Sequence, residues 1–190
     1  MRALARTAQA QLTLLLACVA LAWALELVDR LIFDGGLDRF GIRPRTPQGL
    51  WGIPAAPLLH GGWAHLAANT LPFVVLGWLV MLRRMRDFLL VTVVVVLVGG
   101  LGVWLIGAPN TIHIGASGLI FGYVGYVLAR GYFERSIGSV LLAGVVAVVY
   151  GGALFGLLPG QPGISWEGHL AGFASGVGSG RLLTSRRPSN

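Results

Sequence analysis

Apolar residues in this chain come in long blocks broken by short polar segments. Six blocks approach the ~20 residues that a helix needs to cross a bilayer: residues 9–28, 63–82, 88–106, 114–133, 137–158 and 166–183. The pattern predicts an all-α polytopic bundle of six transmembrane helices, forming one membrane domain over residues 1–190. The second, fourth and sixth blocks carry the polar residues, each near its start.

Composition strengthens that reading. Hydrophobic residues make up 55% of the 190 and charged residues 11%, against ~25% charged in a soluble domain. Mean hydropathy is +0.77. The net charge is +7 and every basic residue is arginine. No basic stripe with interleaved aromatics accompanies that charge, so nucleic acid is not an expected partner.

The arginines fall between the blocks. Arg2 and Arg6 precede the first, and Arg83, Arg84 and Arg86 separate the second from the third. Arg130 and Arg135 bracket the turn between the fourth and fifth, and Arg181, Arg186 and Arg187 close the sixth. The positive-inside rule puts these ends, and both termini, in the cytoplasm. Cys18 is the only cysteine, which excludes an intrachain disulfide. The first block lacks a clean signal-cleavage site and reads as a retained helix.

The loop over 29–62 holds the other four arginines together with Asp29, Asp34 and Asp38, and is punctuated by Gly35, Gly36, Pro44, Pro47, Pro54 and Pro57. Its second half, from Leu50 and Trp51 to Leu58 and Leu59, is apolar and aromatic, as expected of a segment at the membrane interface.

The chemistry lies in three polar sets. His65 and Asn69 are four apart and share a helix face. Gly115-Ala116-Ser117-Gly118 opens the fourth block, with Ser117 expected about one turn into its helix. His169 lies in the sixth block, on a helix whose Gly168, Gly172, Gly176 and Gly180 form a four-residue ladder. Such a ladder lets two helix backbones approach closely, and Gly118 and Gly122 offer a matching face. Even-numbered helices run from outside to inside, so the three sets lie at similar depth near the external face. Ionisable groups inside spans mark functional sites by default.

A serine hydroxyl needs a base, and an imidazole supplies one near neutral pH. Ser117 and His169 are the expected nucleophile and base. Candidate donors for an oxyanion are the Asn69 amide, a His65 ring N–H and the Ser117 backbone N–H at a helix start. Glu167, two residues from His169, lies on another helix face and is not assigned as a third member.

With these motifs in this order, the chain resembles the rhomboid family of intramembrane serine proteases. The family's histidine, three residues, then asparagine is matched by His65 and Asn69, its GxSG by Gly115 to Gly118, and its last histidine with GxxxG-type spacing by His169, Gly172 and Gly176. The resemblance implies Ser117 as nucleophile, His169 as general base, and His65, Asn69 and the Ser117 backbone as the oxyanion hole. It implies no cofactor. It also implies that His60 packs the loop before the second helix, that Phe121 stacks under His169 where the family often has tyrosine, and that the fifth helix gates access. Trp51 is followed by Gly52 where many members have Trp-Arg.

The expected partners are the lipid bilayer and single-span transmembrane substrates, and the expected location is a bacterial plasma membrane. A metal site is disfavoured by the lack of HExxH and of carboxylates near His60, His65 and His113, so His113 is expected to be an interfacial loop residue. A catalytically inactive relative that only binds transmembrane segments is expected to lack the serine or the base. A small transporter is expected to show a repeat or a pair of broken helices.

Overall fold

The structure, a computed structural model, describes residues 2–161 and 163–185, with side chains from residue 6 onward. The expected cytoplasmic arginines 186 and 187, and the last residues of the tail over 184–190, lie outside the described residues, as does the Arg2 side chain.

The described chain is helical. α1 (Arg2–Val28) continues through a π turn, Asp29–Phe33. α2 (Pro47–Ala55) lies inside the long loop, and α3 is Trp63–Met81. α4 (Met85–Val94), a π turn (Val95–Gly99) and α5 (Gly100–Ile106) form one continuous rod. α6 is Ser117–Glu134, α7 is Ile137–Tyr150 followed by a 3-10 turn (Gly151–Leu157), and α8 is Trp166–Ser185. Among the described residues the only sheet-like pairing is an isolated antiparallel bridge between Ile42 and His113.

Among the described residues, four helices are long and apolar enough to cross a membrane: Arg6–Phe33, Trp63–Met81, Met85–Ile106 and Ile137–Leu157. The fourth and sixth apolar blocks also become helices, of 18 and 20 residues, but they fall below the apolarity of those four. The reason is their position. α6 is buried without a break from Leu119 to Val127, and it packs most intimately against α8. Helices enclosed by neighbours exchange large apolar residues for small ones and carry the polar groups inward.

The glycine ladder makes that packing. A Cβ on Gly172 would run into the Gly118 backbone, and one on Gly176 into the Gly122 backbone. The expected glycine faces are therefore in register, with α6 and α8 touching main chain to main chain.

At the Arg83 end of the bundle, Arg83 pairs with Asp87 at 3.2 Å, and the Tyr126 hydroxyl donates to the same carboxylate. The long loop closes the other end. Thr46 caps α2 by accepting from Gly49 N–H, with Pro47 as the first helical residue, the ordinary start signal for a helix. Gly49, Gly52 and Ile53 face inward, while Trp51 is 80% exposed, as the interfacial reading expects.

A histidine-lined cavity at one end of the bundle

Ser117 is the first residue of α6 rather than lying a turn inside it. The apolar residues before it are not helical because Gly115 N–H bonds to Ala56 O at 2.8 Å and Gly115 takes φ +105°. A side chain at Gly115 would be strained and would collide with the His65 ring. The chain thus drops from the loop straight into the head of α6. Ser117 N–H is one of the first-turn groups with no partner inside its helix.

His65, Asn69, Ser117 and His169 line one cavity of about 800 Å³, together with Thr111, His113 and Glu167. The three polar sets of the sequence therefore meet. The Ser117 hydroxyl makes no hydrogen bond to His169; catalytic hydrogen bonds of this kind commonly tighten only in the substrate complex.

The partners of each histidine fix its tautomer, because a carbonyl only accepts and a backbone N–H only donates. His169 Nδ1 meets Gly156 O at 3.0 Å, so Nδ1 carries the proton and Nε2 keeps a lone pair. The ring stacks on Phe121 at 4.1 Å between centroids and 15° between planes, as the resemblance implied. His65 Nδ1 accepts from Gly61 N–H at 3.3 Å, which leaves its Nε2 as a donor. Asn69 gives one amide hydrogen to His65 O at 2.9 Å and keeps the other free for the cavity.

His60 Nδ1 donates to Leu58 O, and its Nε2 accepts from Ala116 N–H, both at 3.4 Å. That double bond ties the loop to the residue before Ser117. Burial, reinforced by neighbouring His65, pushes His60 down to about 4 despite the Leu58 carbonyl.

His113 lies in the loop between α5 and α6, and it is buried there. Its backbone bridges Ile42 in both directions, at 2.9 and 3.0 Å. Thr111 Oγ1 donates to Ala108 O at 2.7 Å, so it accepts from His113 Nε2–H at 2.8 Å. Nδ1 is then the acceptor for the Ser165 hydroxyl at 2.6 Å. Ser165 Oγ in turn accepts from Gly168 N–H at 3.1 Å, capping the helix that carries His169. Burial lowers His113 below the ordinary histidine range, against the opposing charge of Glu167. The bond between Ser165 and His113 has no signal in sequence, although a serine just before Trp166-Glu167 is an ordinary cap signal.

No group of three or more His, Cys, Asp or Glu side chains among the described residues is placed to hold a metal ion.

Fold and cavity together define a multi-pass helical membrane protein with a polar chamber sunk into one end of its bundle. The family model of the rhomboid domain matches residues 47–186, and the chain belongs to the rhomboid family. It is similar to an uncharacterized protein of Mycobacterium tuberculosis, 46% identical over 180 residues, covering 90% of this chain and 75% of that protein. An uncharacterized protein of Mycobacterium leprae is 43% identical over 178 residues, covering 90% and 70%. RHOMBOID-like protein 4 of Arabidopsis thaliana is 32% identical over 146 residues, covering 72% of this chain and 34% of that protein.

Proposed function

We propose that this chain is an intramembrane serine endopeptidase of six membrane spans, with Ser117 as nucleophile and His169 as general base. One observation carries the reading: Ser117, His169, His65 and Asn69 line a single cavity, with the His169 lone pair left on Nε2 by the Gly156 bond. Nε2 takes the Ser117 proton as Oγ attacks the scissile carbonyl, then delivers it to the leaving amine. His65 Nε2–H, the free Asn69 N–H and Ser117 N–H receive the oxyanion. Water hydrolyses the acyl-enzyme by the same route in reverse.

α6 and α8 supply the remaining two spans, and the arginine-rich end faces the cytoplasm with both termini. The similarity to mycobacterial proteins supports a bacterial plasma membrane. Substrates are single-span proteins with small or helix-destabilising residues near the outer end of the span, since a closed helix hides its carbonyls. α7 is the gate: a Cβ on Gly144, Gly151 or Gly152 would meet no neighbour within 4 Å.

The test uses purified wild type, Ser117→Ala and His169→Ala in detergent with a reporter transmembrane substrate. Each variant should lose cleavage while keeping the wild-type melting profile, and a serine-directed phosphonate should label wild type alone. Cleavage by Ser117→Ala at the wild-type rate overturns the reading.

A further inference from the structure

The cavity holds a buried carboxylate that the proposed hydrolysis does not use. Glu167, in the first turn of α8, is 6% exposed and lines the same chamber as Ser117 and His169. The ion pairs among the described residues engage Glu26, Asp87 and Glu134 instead. The nearby main-chain donors of α8 are already committed: Trp166 N–H to Ile164 O, Gly168 N–H to Ser165 Oγ and His169 N–H to Ser165 O. Glu167 acts electrostatically on His113, but that ring is neutral, with both nitrogens engaged by Thr111 and Ser165. No arginine lines the chamber.

The Glu167 carboxylate is thus offered to the chamber with no protein donor among the described residues on its oxygens. A ligand that brings its own cation gives it a charge-assisted hydrogen-bond partner in a confined site.

We propose that Glu167 anchors a subsite for a cationic side chain of the substrate, arginine or lysine, in the segment flanking the scissile bond. The inference rests on the protease reading above. Arginine is favoured over lysine because its planar fork can meet both carboxylate oxygens. The subsite lies on the α8 side of the chamber, toward Thr111 and His113, so it reads a residue flanking the cleaved bond rather than the bond itself.

The experiment is a substrate scan with the full-length protein in liposomes. One reporter transmembrane substrate carries arginine, leucine or aspartate singly at each position around its cleavage site. For wild type, one position should show arginine over leucine by on the order of 10- to 100-fold in kcat/KM, the range of a charged hydrogen bond, with aspartate disfavoured there. In Glu167→Gln the arginine-to-leucine ratio at that position should fall to about one. A flat ratio at every position in wild type overturns the inference without need of any variant. So does an undiminished ratio in Glu167→Gln. Ser117→Ala runs alongside: cleavage there sinks the protease reading, whereas loss of cleavage with a flat scan sinks the subsite alone.

Discussion

Gly172→Ala is the smallest change that separates the two helices carrying Ser117 and His169. A Cβ at Gly172 would lie 2.8 Å from Gly118 C and 3.1 Å from its Cα, and nearer still to its carbonyl oxygen. These are backbone atoms, so no rotamer change relieves the clash. Carbon contacts settle at roughly 3.5 Å or more, so the helices must part by on the order of 1 Å. Ser117 immediately precedes Gly118, and His169 lies one turn before Gly172, so the displacement passes directly into their separation. Misplacement by about 1 Å costs on the order of 100-fold in rate. Overpacking of this kind costs about 1–3 kcal/mol, or roughly 2–12 °C in melting temperature for a chain of this size. Gly178→Ala is the internal control, because a Cβ there meets nothing within 4 Å. Both variants are assayed for kcat/KM on one transmembrane substrate and for thermal unfolding in one detergent. If Gly172→Ala matches Gly178→Ala in both, the helices do not depend on this contact and the packing argument fails.

Asn69→Ala should lower kcat by on the order of 10- to 1000-fold with KM nearly unchanged, as for a lost oxyanion donor; a raised KM at constant kcat would move Asn69 to a binding role. His60 should make the protein acid-sensitive. Its folded value of about 4 lies below the unfolded ~6.5, so the native state binds fewer protons, and its stabilisation is full above ~6.5 and lost as pH falls toward 4. Melting temperature should therefore drop over that window in wild type and drop less in His60→Asn; parallel slopes refute the assignment. For orientation, a cysteine replacing Arg84 in a Cys18→Ala background should react with impermeant thiol reagents only after the cytoplasmic side is opened, while one replacing Asn110 should react from outside. The reverse pattern puts the cavity on the cytoplasmic face.

Features set by local spacing were legible in the sequence. The ladder from Gly168 to Gly180 announced a close helix pair, and the four-residue step from His65 to Asn69 placed both on one face. The stacking of Phe121 under His169 followed from the family resemblance. Features set by distant partners were not legible. The burial of His113 in its loop was not legible because Ser165 and Ile42, which hold it, lie far away in the chain. The start of α6 was placed too early because Ile114 and Ala116 look helical, whereas the bond from Gly115 N–H to Ala56 O and the positive φ of Gly115 break the chain there and leave Ala116 as the cap. α2 did have a local signal, Thr46 before Pro47, but Pro54 within the same stretch argued for a loop; its missing N–H costs one helical bond, and the helix ends one residue after it.

The bond from His169 Nδ1 to Gly156 O joins two parts of very different firmness. α6 and α8 meet backbone to backbone and form a fixed frame. Gly156 belongs to the 3-10 turn after α7, a segment whose neighbouring glycines have open space around them. The imidazole is thus latched to the segment proposed above as the gate. An outward swing of that segment must either drag the ring or release it, and a released ring loses the contact that fixes its tautomer. Under the proposed function, admission of a substrate and readiness of the base are then mechanically interlocked: the door, when closed, sets the proton on the correct nitrogen.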